Sequence, residues 1–114
     1  MPSEKESGVL REVLRNIKLA EQFTQGHTLA TLQVDEKTLY AVVRSLEIIS
    51  EASRRLTDEL KARHANIEWR EMAAAGNVYR HSYEDVTARR VWKTLHDHLP
   101  ALRTVVEKEL GSSS

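Results

Sequence analysis

The sequence predicts an all-α protein, an up-and-down bundle of four to five helices that forms a single domain over residues 1–114. The first observation is that apolar residues recur at spacings of three and four along most of the chain, as on the buried face of a helix. The second is the small number of turn residues, 4 Gly and 2 Pro, because β proteins need many tight turns. The third is size, since 114 residues with 40% hydrophobic content can bury a core without disulfides.

The first helix is predicted over residues 8–25, with Ser7 as its N-cap and Gly26 as its C-terminal stop. Residues 1–7 are expected to be disordered. Residues 27–34 lack helical spacing and are interpreted as a connecting loop. Its two leucines, Leu29 and Leu32, are expected to pack beneath the bundle. The apolar face of the first helix consists of Val9, Leu10, Val13, Leu14, Ile17, Ala20 and Phe23.

The second helix is predicted to begin after an Asp35 cap and to run to about residue 56. Four charged side chains follow one another at spacings of three and four, which suits ion pairs within the helix. These charged residues are Arg44, Glu47, Glu51 and Arg55. The apolar stripe consists of Leu39, Val42, Val43, Leu46, Ile49 and Leu56.

Three further helical stretches complete the predicted bundle. Thr57 is expected to cap a short helix that extends to residue 64, and a helix over residues 68–81 turns Trp69, Met72 and Ala73 inward. The last stretch, over residues 87–110, keeps its apolar period through Pro100, so one helix with a kink at that proline is expected. Gly111 is predicted to end it, with residues 111–114 disordered. Its apolar residues are Val91, Trp92, Leu95, Leu99, Leu102, Val105, Val106 and Leu110.

Composition excludes several classes of protein. The chain has no cysteine, which excludes a disulfide scaffold, an iron–sulfur cluster, a thiolate zinc site and a cysteine nucleophile. Its 17 basic and 17 acidic residues argue against a broadly basic nucleic-acid coat protein. Charges interrupt every apolar stretch, so no membrane span is expected. The N-terminus lacks a signal-peptide pattern, and a cytoplasmic protein is expected.

The sequence also offers no cofactor or metal motif. There is no Gly-rich phosphate loop, and no cofactor is expected. His96 and His98 are two residues apart, so on a helix they diverge by about 200° and cannot hold one ion together. We therefore expect no metal site.

One segment carries more information than the rest. Residues 69–83, WREMAAAGNVYRHSY, lie between YAVVRSLEIISEASRRL (residues 40–56) and VWKTLHDHLPAL (residues 91–102). This layout resembles the HepT-like family of the HEPN superfamily, which comprises small helical ribonuclease toxins that are commonly paired with a minimal nucleotidyltransferase antitoxin. The resemblance covers residues 9–110, nearly the whole chain.

The resemblance implies candidate catalytic residues. The family motif is Arg, four to six residues, His, any residue and Tyr, and His81 and Tyr83 match its last two elements. Gly76 stands where the family most often has arginine. Arg80, directly before the histidine, and Arg70, at the start of the helix, are the candidates to replace it. The motif is interpreted as a Gly-Asn-x-x-Arg-His-x-Tyr variant.

Helical geometry groups some of these residues. At about 100° per residue, Arg70, Asn77 and His81 point the same way to within about 20° and form one polar stripe. Glu51 and Arg44 are candidates to support the site from the second helix, although plain ion pairing is the favoured interpretation of both. Trp69 and Trp92 are interpreted as core or dimer-interface anchors.

The implied chemistry is RNA cleavage without a metal. A histidine near its ordinary pKa of about 6.5 can transfer the protons, and an arginine can pair two phosphate oxygens. The family resemblance implies a symmetric homodimer with two copies of His81 in one cleft, and Tyr83 as the residue that the antitoxin modifies with AMP.

Three hypotheses follow from the sequence. They are an active endoribonuclease toxin, a catalytically weakened nucleotide- or RNA-binding partner of the nucleotidyltransferase, and a structural dimerisation bundle. If the missing arginine limits the site, Gly76→Arg is expected to raise nuclease activity.

Overall fold

The computed structural model describes residues 2–78 and 84–112, and the side chains of residues 77, 78, 84, 85 and 112 fall outside that description. The described residues are mainly helical and include no strand, which confirms the all-α class. Its elements are α1 (Glu4–Thr24), α2 (Leu29–Gln33), α3 (Glu36–Arg54), α4 (Asp58–Arg63), α5 (Trp69–Val78), α6 (Glu84–Lys93), a π-helical turn (Thr94–His98) and α7 (Leu99–Ser112).

The first helix begins one turn earlier than the sequence predicted. Ser3, not Ser7, is the N-cap, and its hydroxyl accepts a hydrogen bond from the Glu6 backbone N–H at 3.1 Å. Glu4 and Glu6 lie in the first turn, where the helix dipole favours carboxylates. Residues 4–7, expected to be disordered, are therefore helical, and Ser7 is buried.

A short helix replaces the loop expected at residues 27–34. Thr28 and Thr31 form a reciprocal capping box, in which each side chain accepts a hydrogen bond from the other's backbone N–H. The prediction missed α2 because this box uses threonine where glutamate or glutamine is usual. Leu32 is fully buried and Leu29 packs against the core, as predicted.

The caps of α3 and α4 are confirmed. Asp35 accepts a hydrogen bond from the Thr38 N–H at 3.0 Å, and Thr57 accepts one from the Leu60 N–H at 3.2 Å. Hydrogen bonds from Thr38 also lower the pKa of the Asp35 carboxyl. The ion pair expected for Arg55 within α3 is wrong, because its guanidinium pairs with Glu12 of α1 at 3.0 Å.

The last helical stretch is continuous, but its irregularity lies one turn before the predicted kink. The Leu99 N–H bonds to the Thr94 carbonyl, five residues back, so residues 94–98 form a π-helical turn that ends just before Pro100. Proline has no N–H to donate to the ladder. The stretch begins at Glu84 rather than residue 87, and α7 continues through Gly111, which does not end it.

The predicted apolar faces form one continuous core. In that core α3 packs against α1 and α5, and α1 packs against α7. Phe23 is the exception within its predicted face, since 37% of it is exposed near the end of α1. The largest fully buried side chains are Leu10, Ile17, Leu32, Leu46, Ile49, Leu60, Leu99 and Leu102.

Charged contacts tie helices that are distant in sequence. Arg103 of α7 pairs with Glu21 of α1, and Glu6 of α1 accepts a hydrogen bond from the Thr57 N–H at the start of α4. Among the residues described, no helix is long and apolar enough to cross a membrane.

Candidate functional site

The predicted catalytic residues fall largely in the part of the chain that the structure leaves undescribed. His81, Arg80 and Tyr83 lie outside the described residues. Asn77 belongs to α5, but its side chain is not described. The proposed polar stripe of Arg70, Asn77 and His81 therefore stays a prediction. The backbone of α5 that leads into the segment is described through Val78.

Arg70 is the described member of the predicted catalytic set. It is the second residue of α5, and its side chain is exposed. A guanidinium in that position remains accessible to solvent and to a polynucleotide. Its role as a phosphate ligand stays a prediction.

The two predicted supporting residues lie on the surface of α3. Arg44 is exposed and pairs with Glu47, one turn later, at 3.8 Å. Glu51 is also exposed. This contact confirms the interpretation of Arg44 as a member of an ion pair within the helix. Nothing in the described residues assigns a further role to Glu51.

Gly76 lies at a close contact between α5 and α3. The glycine is buried, and a Cβ built on it would lie 3.3 Å from both the Glu47 Cα and the Ser50 Cβ. Distances that short are tighter than ordinary van der Waals contact, so the Cβ of a larger residue requires α3 to shift by a few tenths of an ångström. An arginine at position 76 therefore strains this contact from its first side-chain atom. This counts against the simple restoration expected of Gly76→Arg.

Ser50 uses the space that the glycine leaves. Its hydroxyl donates a hydrogen bond to the Met72 carbonyl at 2.6 Å and accepts one from the Gly76 N–H at 3.0 Å. The Met72 carbonyl and the Gly76 N–H are the two groups that pair within a regular helix, so the Ser50 hydroxyl of α3 bonds to both members of one backbone pair of α5. Arg54 of α3 adds a hydrogen bond to the Ala73 carbonyl.

Sequence reasoning missed Ser50. A small residue on the inward side of α3 and a glycine on α5 are the signal for close helix packing. That signal becomes readable only once the two helices are known to be partners.

The two tryptophans are structural, as predicted for a core role. The indole N–H of Trp69 donates to the carbonyl oxygens of Lys61 and His64, at 3.2 and 3.0 Å. This joins the start of α5 to the end of α4. Trp92 is half-buried against the core, and its ring lies 4.3 Å from that of His96.

A second polar cluster lies at the start of α5. His98, at the end of the π-helical turn, faces Glu68 and Glu71, with nitrogen–oxygen distances of 3.9 and 3.5 Å. Glu71 raises the pKa of the Glu68 carboxyl through a side-chain hydrogen bond and its charge. His96 instead lies against Trp92. The prediction that the two histidines cannot share one ion thus agrees with their different neighbours.

An open cavity of about 280 Å³ adjoins this cluster. Glu71 and His98 line one part of it, and the basic side chains Arg90 and Lys93 also contribute to its wall. The cavity contains both acidic and basic groups within reach of a small polar ligand.

The chain belongs to the ribonuclease HepT-like family, whose model matches residues 13–109. The matched range includes the whole of the predicted motif segment. The family supports the expected enzyme class, a nuclease and therefore a hydrolase.

Individual relatives cover nearly the same range. A protein named "Probable ribonuclease HepT" from Thermococcus cleftensis is 38% identical over 99 residues, which are 87% of this chain and 90% of the relative. A relative from Methanocaldococcus jannaschii, provisionally named as an RNase, is 29% identical over 86% of this chain and 90% of its own length. Another provisionally named RNase, from Caldanaerobacter subterraneus, is 30% identical over 89% of this chain and 90% of its own length. No solved structure matches the chain significantly.

Proposed function

We propose that the protein is the HepT-like toxin of a type VII-like toxin–antitoxin pair. In this proposal it is a metal-independent endoribonuclease that cuts RNA at the cleft of a homodimer. The observation that carries the proposal is the family match over residues 13–109, because it spans the frame and the His-x-Tyr motif together.

The chemistry assigns one task to each residue type. His81 transfers protons, as a base toward the ribose 2′-hydroxyl in one subunit and as an acid toward the leaving oxygen in the other. One imidazole per chain cannot easily perform both tasks, so two chains supply the pair. An arginine offsets the charge that develops on the phosphoryl oxygens.

The surroundings of Gly76 bear on which arginine performs that task. Position 76 is buried against α3, and the Cβ of a larger residue there would press on Glu47 and Ser50. The guanidinium has to come from elsewhere, and Arg80 and Arg70 are the candidates. Arg70 is exposed on α5, while Arg80 adjoins the histidine in sequence.

Regulation follows from the same motif. In the proposed pair, a minimal nucleotidyltransferase antitoxin transfers AMP from ATP to the hydroxyl of Tyr83, two residues from His81, with release of pyrophosphate and the phenolic proton. The added phosphate and nucleoside block the site by charge and bulk. The proposed location of both proteins is the cytoplasm.

The buried glycine also favours a second candidate function. In that alternative, the chain keeps the fold and the nucleotidyltransferase partner, but it binds RNA or nucleotide without efficient cleavage. The supporting observation is that Ser50 and the backbone of α3 fill the space around Gly76, where the family most often has arginine.

RNA cleavage by the purified protein separates these candidates. Wild type is expected to cleave RNA in the presence of EDTA, whereas His81→Ala is expected to lose about 100-fold or more in rate, the usual contribution of a general acid or base. His96→Ala, an exposed histidine outside the motif, serves as the matched control. Equal cleavage by wild type and His81→Ala contradicts the enzyme proposal. A salt-sensitive RNA gel shift without cleavage supports the second candidate.

A further inference from the structure

Three metal-ligand side chains converge at the start of α5. Glu68 directly precedes the helix, Glu71 lies in its first turn, and His98 reaches them from the end of the π-helical turn. One ligand atom from each lies within 4.8 Å of the other two. None of these residues belongs to the motif assigned to RNA cleavage.

The distances suit a shared ion better than direct hydrogen bonds. The His98 Nε2 lies 3.5 Å from Glu71 Oε2, and its Nδ1 lies 3.9 Å from Glu68 Oε2, both longer than the usual 2.7–3.2 Å range of N–H···O bonds. Ligands about 2.1 Å from a tetrahedral Zn²⁺ are about 3.4 Å apart. The His98–Glu71 spacing already matches that edge. A histidine binds one ion through one ring nitrogen, so with Nε2 as the donor the Glu68 carboxylate has to rotate toward that nitrogen. The three ligand atoms already lie within 4.8 Å of one another, and the Glu68 side chain is 60% exposed and has room for this rotation.

The composition of the cluster selects a class of ion. Two carboxylates alone favour Mg²⁺ or Ca²⁺, which take oxygen ligands. The added imidazole nitrogen shifts the preference to Zn²⁺ and similar transition ions. The ion also offsets the repulsion between two carboxylates that lie side by side.

The surroundings leave room for further ligands. Glu71 and His98 line the cavity of about 280 Å³ described above, and Glu68 and His98 line a neighbouring cavity of about 280 Å³. The cluster therefore separates two solvent-accessible spaces. Water in either can complete the coordination of an ion with three protein ligands.

We propose that Glu68, Glu71 and His98 form a Zn²⁺-binding site that links the start of α5 to the π-helical turn. No metal motif is visible in the sequence, because His98 lies about 30 residues from the two glutamates. The ion ties α5 to the α6–α7 stretch and takes no part in the proposed RNA chemistry.

Calorimetric titration of the chelator-treated full chain with ZnCl₂ tests the site. We expect one Zn²⁺ per chain and a higher melting temperature with the ion, because a ligand that binds only the folded state stabilises it. Glu71→Gln and His98→Gln are expected to weaken binding more than about 100-fold, beyond what loss of an outer-shell partner costs. His96→Gln is the matched control and is expected to bind as wild type does. Circular dichroism checks that each variant is folded.

Several results overturn the proposal. They are the absence of saturable Zn²⁺ binding by wild type, an equal loss in His96→Gln, and binding of Mg²⁺ as strong as that of Zn²⁺. Without saturable Zn²⁺ binding, the cluster is only a histidine paired with two glutamates. An equal loss in His96→Gln means that the ion is adventitious. Binding of Mg²⁺ as strong as that of Zn²⁺ means that the site is an ordinary pair of acidic residues. The outcome is independent of the proposed function, because RNA cleavage in EDTA is measured separately and involves different residues.

Discussion

At the scale of single residues, Gly76 connects the fold with the proposed chemistry. It occupies the position where the family most often has arginine, yet a Cβ there would lie 3.3 Å from the backbone of α3 and from the Ser50 side chain, closer than ordinary contact. The substitution in the motif is thus accompanied by a specific helix contact. The hydroxyl of Ser50 bonds to both Met72 and Gly76, so serine and glycine act as a pair.

The first prediction concerns this pair. Gly76→Arg is expected to lower the free energy of unfolding by about 1–3 kcal/mol, the usual cost of overpacking. Adding Ser50→Gly removes one of the two obstructing groups, so the double variant is expected to be more stable than the sum of the single effects allows. Denaturant unfolding of the four proteins in a double-mutant cycle measures the coupling.

Two outcomes contradict this account of the glycine. One is a Gly76→Arg protein as stable as wild type, and the other is strict additivity of the two changes. A rise in nuclease rate in the double variant alone, with no rise in the single variant, indicates that arginine is useful at position 76 only when α3 makes room for it.

At the scale of elements, the apolar stripes define the helices and their buried faces. Leu46 of α3 and Leu95 in the π-helical turn both lie in the core. Leu46→Ala or Leu95→Ala is expected to lower the free energy of unfolding by about 2–5 kcal/mol, out of a total of about 6–17 kcal/mol for this length. Val34→Ala is the control, since Val34 is 84% exposed, and it is expected to change stability by less than about 0.5 kcal/mol. Equal denaturation midpoints for all the variants contradict the assigned core.

Glu109 of α7 joins the last helix to α4. Its carboxylate pairs with Arg63 at 3.0 Å and with His64 at 2.6 Å. Arg63 and then His64 lower the pKa of the Glu109 carboxyl, against the opposing effect of burial. Glu109 in turn raises the pKa of Arg63.

The lowered pKa of Glu109 makes part of the stability dependent on pH. The folded state binds this proton more weakly than the unfolded state, so the contribution is present above the unfolded pKa of about 4.3. It is lost as the pH falls through the lower, folded pKa. Unfolding free energies of wild type and Glu109→Gln are expected to differ most near pH 7 and to converge in acid. A difference that stays constant down to acid pH contradicts the assignment.

Features of the fold that depend on neighbouring residues can be predicted from the sequence, whereas contacts between distant segments cannot. The Asp35 and Thr57 caps and the core stripes depend on local spacing, and they were predictable. The prediction missed the α2 helix, which depends on a capping box made only of threonines. It also missed the early start of α1, which depends on Ser3 as the N-cap. The partner of Arg55 lies on α1, 43 residues away, and no local pattern indicates it. For the same reason Glu68 and Glu71 could not be associated with His98.

The residues of the candidate site could be predicted from the sequence, but their positions relative to the other helices could not. The residues of the motif follow from resemblance to a family, and the family match over residues 13–109 supports that resemblance. The burial of Gly76 did not follow, because it depends on how α5 crosses α3. The roles of His81, Arg80 and Tyr83 stay predictions.

At the scale of the whole molecule, the proposed mechanism requires two chains. If one His81 from each subunit acts at a shared cleft, a mixed dimer with one His81→Ala subunit lacks one of the two proton carriers. Excess His81→Ala protein, added to a fixed amount of wild type and allowed to exchange subunits, is expected to lower the rate of RNA cleavage. An unchanged rate, with exchange verified independently, contradicts the shared cleft and favours a site complete in one chain.

The π-helical turn has a consequence for which changes the chain tolerates. Asp97 and His96 are exposed within it, so replacing either should disturb little. Deletion is tolerated for a different reason, because the hydrogen bond of this turn spans five residues and that of an α-helical turn spans four. Removing His96 or Asp97 lets the turn close as regular α-helix, and buried Leu102 and Val106 of α7 keep nearly their present orientation. The turn therefore contains one residue more than the helix needs.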